Sequence, residues 1–252
     1  MSELGLKDTT IANLVEQNTV RAYVLFYFGI RFYEYSGETL AEACAEKGLK
    51  VETVIRELET PGEKFQEAEL PLISYPLDLI IEYLKHAHFL FVKHRLPFIS
   101  KLVENFKAHH DAYVSVEKDL KVLFPLFIED FIHHIYEEED TLFTYISFLE
   151  KAAHSSVNVS ELYQIMERNS MSRFFSEHDA HEDEMEGIRR ITSDYQLDAD
   201  APLHVRVIYS ELRQFEKNLQ THARIENEIL FPKAMALEQE IKQSIGNKIK
   251  LN

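Results

Sequence analysis

The stretch "HHIYEEEDTLF", residues 133–143, returns about ninety residues later as "HARIENEILFP", residues 222–232. His134, Glu138, Leu142 and Phe143 match His222, Glu226, Leu230 and Phe231 position for position. Residues four apart share a helix face, so each histidine points the same way as its glutamate. The flanking pattern sets that face. Phe127, Phe131, His134, Glu138 and Leu142 follow a three-four rhythm, as do Leu212, Phe215, Leu219, His222, Glu226 and Ile229. That rhythm marks a buried stripe, which places both carboxylates at core positions. A buried carboxylate without a partner is costly, and a bound cation offsets the cost.

Helices surround these phrases. Long apolar-periodic segments cover about 77–109, 113–153, 159–195 and 201–243, with "DYQLDADAP" breaking the last two. Pro125 removes a backbone donor inside the second and is expected to kink it. Four such segments with short connections predict an antiparallel four-helix bundle over 77–252. Residues 1–60 form a smaller helical domain: Asp8, Thr9 and Thr10 cap a helix running to Gly29, Ser36 or Thr39 caps a second ending at Gly48, and "KVETVIRELE" makes a third. The Pro-bearing, aperiodic 61–76 reads as a linker. The fold class is all-α.

Composition narrows the setting. Of 252 residues, 45% are apolar, so a core can be buried, and seven Gly with seven Pro favour long helices over a turn-rich β fold. Net charge is −16, from 43 acidic and 27 basic residues, which argues against non-specific binding of nucleic acid. Cys44 is the one cysteine, so neither an internal disulfide nor a cysteine cage can form; a reducing, cytoplasmic compartment fits. The polar start shows no secretory signal, and no apolar run approaches the roughly 20 residues of a membrane span.

Other histidines are placed to join the two phrases. His178 is in phase with Met171 and Met185, while His181 shares the neighbouring phase of Phe174 and Ile188. The first long helix offers His86 and His88. A single HxxxE pair is commonly a surface hydrogen-bonding pair. Two copies in the same core phase, with inward histidines on other helices, point to a metal centre. Imidazole nitrogen and carboxylate oxygen suit iron, manganese or zinc. His133 with Glu137 lies one residue out of register and is set aside, and Glu182 is a minor candidate.

These phrases resemble the iron-sulfur cluster repair di-iron proteins, whose C-terminal part is a hemerythrin-like bundle. "HIYEEEDTLF" is similar to that family's H-x-x-x-E-E-x-x-L-F-P phrase, with Thr144 where proline is usual. "SEHDAHEDEMEGIRRIT" resembles its E-H-D phrase, and "HARIENEILFPKA" its last-helix phrase. "FGIRFYEYSGETLAEACAEKGL" follows the family's small N-terminal domain, so the resemblance spans nearly the whole chain. It implies His134, Glu138, His178, His222 and Glu226 as metal ligands, with His86 or His88 from the first helix. The implied cofactor is two non-haem iron ions with an oxo or hydroxo bridge, zinc or manganese being the other ions such donors accept. The implied function is repair or protection of iron-sulfur centres under oxidative or nitrosative stress. Its partners would be damaged iron-sulfur proteins or small diatomics such as nitric oxide, with no nucleic acid or membrane and with a homodimer as the assembly considered. The competing expectation is a hemerythrin-like metal or diatomic sensor or interaction protein without catalysis.

Two departures from the family stand out. Its adjacent N-terminal cysteines are replaced by Tyr33 and Glu34, which removes their thiol chemistry. Counting back from Leu96 and Pro97, its first-helix histidine falls on Phe89, on the stripe Phe89, Val92, Leu96, Ile99 and Val103, so Phe89 is expected inward. A one-residue bulge in that helix would turn His88 inward instead.

Overall fold

The computed structural model describes residues 3–35, 37–59, 72–108, 110–154, 159–179 and 183–250, with side chains at 3, 4, 159, 161, 177–179 and 247–250 outside the description. His181, Glu182, the His178 side chain, Ser36 and the 61–71 part of the expected linker therefore lie outside the described residues. The fold is all-α. Among the described residues the only β pairing is an isolated bridge between Thr10 and Thr39, and no helix is long and apolar enough to cross a membrane.

The chain separates into two compact units, the first made of Met1–Ala68, Arg95–Phe124 and Gly187–Phe215. Its N-terminal helices begin where short polar side chains can cap them. The Thr10 hydroxyl accepts the Asn13 N–H ahead of the Ile11–Gln17 helix. Thr39 and Glu42 form a reciprocal capping box ahead of Leu40–Glu46, worth about 1 kcal/mol in such settings. The single helix expected from Ile11 to Gly29 is instead two, Ile11–Gln17 and Arg21–Tyr27. Asn18 is the reason: it turns extended, and its side-chain oxygen accepts the Val20 N–H at 3.0 Å. Gly29 and Gly48 stop their helices at φ 74° and 67°, a region costly for any residue with a Cβ.

Inside this unit Tyr33 belongs to an aromatic slab, while its neighbour Glu34 pairs with Arg31 at 3.0 Å. Tyr33 stacks on His204 with rings 5.2 Å apart and 1° from parallel, and Phe32 and Phe106 meet the same imidazole. His204 Nε2 donates to the Leu102 carbonyl at 2.9 Å. Arg95 lies over the Tyr23 ring at 4.4 Å and pairs with buried Glu211 at 3.2 Å. Burial pushes Glu211 up to about 7, against the pull of Arg95. Cys44 is buried among the core residues, its thiol pushed up by that burial.

The second unit comprises Glu69–His94, Pro125–Glu186 and Glu216–Asn252. Four helical segments share one core: Leu77, Ile80 and Leu84 meet Leu142, Phe143 and Ile146, Met166 and Met171, and Leu230, Phe231 and Ala234. The Val114–Glu138 helix continues through Pro125. The third segment departs from the continuous 159–195 helix expected. It is Val159–Arg168 and Met171–Asp179, with a further piece, Glu186–Ile191, ending before the left-handed residues Ser193, Asp194 and Tyr195. The break at Asn169 and Ser170 has a visible cause. Asn169 turns its side chain back onto the Ile165 carbonyl, and buried Glu238 accepts the newly freed Met171 N–H at 3.2 Å and the Tyr145 hydroxyl at 2.7 Å.

Three π-helical turns interrupt the long helices of the described chain: Phe91–Arg95, Glu139–Phe143 and Glu226–Leu230. Each takes in an extra residue and so re-phases everything before it relative to everything after it.

His204 yields a pH prediction. Burial pulls it from the ordinary 6.5 down to about 4, with the bond to Leu102 opposing. As pH falls through that window the unfolded chain takes up a proton that the folded chain refuses, so stability drops. Unfolding free energies from denaturant titrations between pH 7 and 4 should fall more steeply in the parent than in His204→Gln, by up to about 3 kcal/mol over the window. Equal slopes would mean that His204 is not held neutral.

Candidate metal centre

The repeated phrases meet in the core of the second unit. His88, Glu138, His222 and Glu226 are all buried, at 3%, 6%, 8% and 1% exposure. One ligand-type atom from each lies within 4.8 Å of the others. His88 Nε2 is 2.9 Å from His222 Nε2 and 3.4 Å from Glu138 Oε2. His222 Nε2 is 2.9 Å from Glu226 Oε1, across one helical turn. Aromatic rings wall the histidines in: Phe143 stacks on His88 at 5.8 Å, and Phe91 meets His222 edge-on at 5.8 Å.

This geometry has too many acceptors for the hydrogens available. Two imidazole nitrogens face each other, and a carboxylate faces each of them. Glu138 Oε1 and His222 Nδ1 are buried with no hydrogen-bond partner among the described residues. Burial, reinforced by the Glu226 carboxylate, pushes Glu138 well above the usual carboxylate range, with His88 opposing. A cation among them relieves the crowding at the centre: it pairs with the carboxylates and accepts the lone pairs of the facing Nε2 atoms. The donor set is nitrogen and oxygen without sulfur, which fits iron, manganese or zinc. The residues fit a metal.

The sequence-derived positions fare unequally. His88, Glu138, His222 and Glu226 converge. His134 is half-buried one turn before Glu138 on the same helix. His86 is exposed, so it does not join the cluster. The inward placement of Phe89 is corrected: Phe89 is 52% exposed, with its ring against His94. The π turn Phe91–Arg95 explains it. Beyond the turn the buried face is carried by Leu96, Ile99 and Val103. Extending that phase backward at α-helical pitch lands on Phe89, but the extra residue in the turn moves the inward position to His88. The same effect corrects the last helix, where Leu230 and Phe231 are fully buried and Ile229 only partly, because the turn Glu226–Leu230 intervenes. Glu137 is exposed and 3.8 Å from exposed His133, so that out-of-register pair stays at the surface. Sequence reasoning missed Glu139, whose Oε1 lies 2.8 Å from His88 Nδ1. The run of three glutamates at 137–139 in the first phrase is its sequence signal.

Fold and site together define an all-α protein with a buried carboxylate–histidine centre of the kind that holds non-haem metal ions. No family model matches the chain. It is similar to curated relatives called iron-sulfur cluster repair protein YtfE, from Escherichia coli O157:H7 and from Shigella boydii serotype 18. Each is 27% identical over 202 residues, covering 80% of this chain and 84% of the relative. The resemblance carried by the motifs thus extends along most of the sequence.

Substitutions separate the inward groups from their neighbours. Glu138→Ala and Glu226→Ala should each strip metal from the protein, whereas Glu137→Ala should leave it. His88→Ala should lower metal per chain, and Phe89→His should not raise it, because position 89 faces outward. Elemental analysis of the purified variants checks all five, and iron loss in Glu137→Ala as complete as in Glu138→Ala would contradict the register.

Proposed function

We propose that this protein is a non-haem di-iron protein that repairs or protects iron-sulfur centres under oxidative or nitrosative stress. The observation that carries the reading is the convergence of His88, Glu138, His222 and Glu226 in a buried, sulfur-free cluster. The relatives whose names describe iron-sulfur cluster repair support the same destination. In this reading those four residues hold metal, joined by His134 from the face of Glu138 and by His178 from the third segment.

Iron, when bound, supplies exchange between ferrous and ferric states and a position for a small diatomic such as nitric oxide. The chain's own residues set the conditions for that chemistry. Glu138 and Glu226 provide the anionic charge that retains a multivalent cation. His88 and His222 contribute neutral donors, so protons compete with metal for them. Phe91 and Phe143 keep apolar surface against the imidazoles and limit the entry of water. Damaged iron-sulfur proteins are the partners this reading requires, and a reducing cytoplasmic compartment is the setting it implies. Thiol chemistry at the N-terminal domain is no part of it, since Tyr33 and Glu34 stand where the family carries cysteines.

Anaerobically purified protein should carry two irons per chain and restore activity to an iron-sulfur enzyme previously inactivated with nitric oxide. Loss of both properties in Glu138→Ala would tie repair to the centre. Two irons with no restoration would favour the sensor alternative, and a parent that binds no iron would sink the reading.

A further inference from the structure

We propose that Glu139 is a positioning residue for the metal centre: its carboxylate fixes the His88 ring with the hydrogen on Nδ1, so that Nε2 presents its lone pair to the metal. This inference rests on the metal-centre reading above.

The geometry supports it from both edges of the ring. A carboxylate accepts, so the 2.8 Å contact from Glu139 Oε1 requires the hydrogen on His88 Nδ1. The opposite nitrogen, Nε2, is the atom that lies 2.9 Å from His222 Nε2 and 3.4 Å from Glu138 Oε2. Phe143, stacked 7° from parallel, fixes the ring plane. Adjacent residues on an α-helix do not face the same way, yet Glu138 and Glu139 reach opposite nitrogens of one imidazole. The π turn that starts at Glu139 makes this possible. Hydroxyls support the turn: Thr144 donates to the Glu139 carbonyl at 3.1 Å and Thr141 to the Glu137 carbonyl at 2.6 Å. Thr144 is the residue that replaces the family's usual proline, so this departure adds a bond at the base of the turn. In the second phrase the position equivalent to Glu139 is Asn227, so the carboxylate clamp is particular to the first.

Glu139 is partly exposed while the ring it holds is buried, at 29% and 3% for the side chains. A role confined to folding would therefore leave the tautomer unchanged on substitution. A positioning role moves it, and carboxylates behind metal-bound histidines change metal affinity about 10- to 100-fold when removed.

The test uses full-length, metal-stripped protein with 15N-labelled histidine, His88 being assigned by comparison with His88→Gln. The parent should show the Nδ1–H tautomer at His88. Glu139→Ala should lose that preference and weaken zinc binding, read by chelator competition, about 10- to 100-fold. Glu139→Gln, whose carbonyl still accepts from Nδ1, should keep the tautomer and lose much less affinity. Glu139→Met, which keeps the side chain's length without an acceptor oxygen, replaces the alanine variant if that fails to fold. An unchanged tautomer in Glu139→Ala or Glu139→Met would overturn the proposal, as would equal affinity losses in the glutamine and alanine variants. A parent that binds neither zinc nor iron would instead overturn the metal reading, while the tautomer still decides the role of Glu139.

Discussion

Two carboxylates and two imidazoles inside an apolar core are the constraint on which the second unit depends. Glu138 and Glu226 sit among Leu142, Phe143, Leu230 and Phe231, where an ionised group has lost its water. Histidine nitrogens at 2.9–3.4 Å meet them, but neutral imidazoles cannot cancel two negative charges. Left as they are, these groups oppose folding, and Glu138 responds by holding its proton far more tightly than an exposed carboxylate does. A multivalent cation turns the same groups into a source of stability, because metal binding then adds to the free energy of folding. The rings of Phe91 and Phe143 flank the imidazoles, the π turn Glu139–Phe143 follows directly on Glu138, and the π turn Glu226–Leu230 includes Glu226.

How much of this was legible depended on phase. The repeated HxxxE phrases placed Glu138, His222 and Glu226 inward because the α-helix runs undisturbed up to Glu138 and from His222 to Ile225, with Glu226 at the first position of its π turn. The first helix was harder. Counting from Leu96 and Pro97 crosses the turn Phe91–Arg95, so α-helical arithmetic pointed to Phe89 when the inward residue is His88. Composition and periodicity carry no mark of a π turn. The break at Asn169 was hidden too: the carboxylate that stabilises it, Glu238, comes from a distant part of the chain. Capping was plain by contrast, because Thr10, Thr39 and Glu42 act on residues three positions away.

The first unit shows a different logic. It builds an aromatic stack of Tyr33 on a neutral His204, and the chain's one cysteine is a buried core residue. Its helices are bounded by the Thr10 cap, the Thr39–Glu42 capping box and glycine stops, and a buried Arg95–Glu211 pair lies in its core. None of these contacts uses a thiol.

The most direct measurement is an anomalous diffraction map recorded at the iron edge from crystals of the iron-loaded protein. Density for iron should appear enclosed by His88, Glu138, His222 and Glu226, with Phe89 turned away from it. Iron density absent from that cluster, or confined to surface carboxylates such as Glu137, would contradict it.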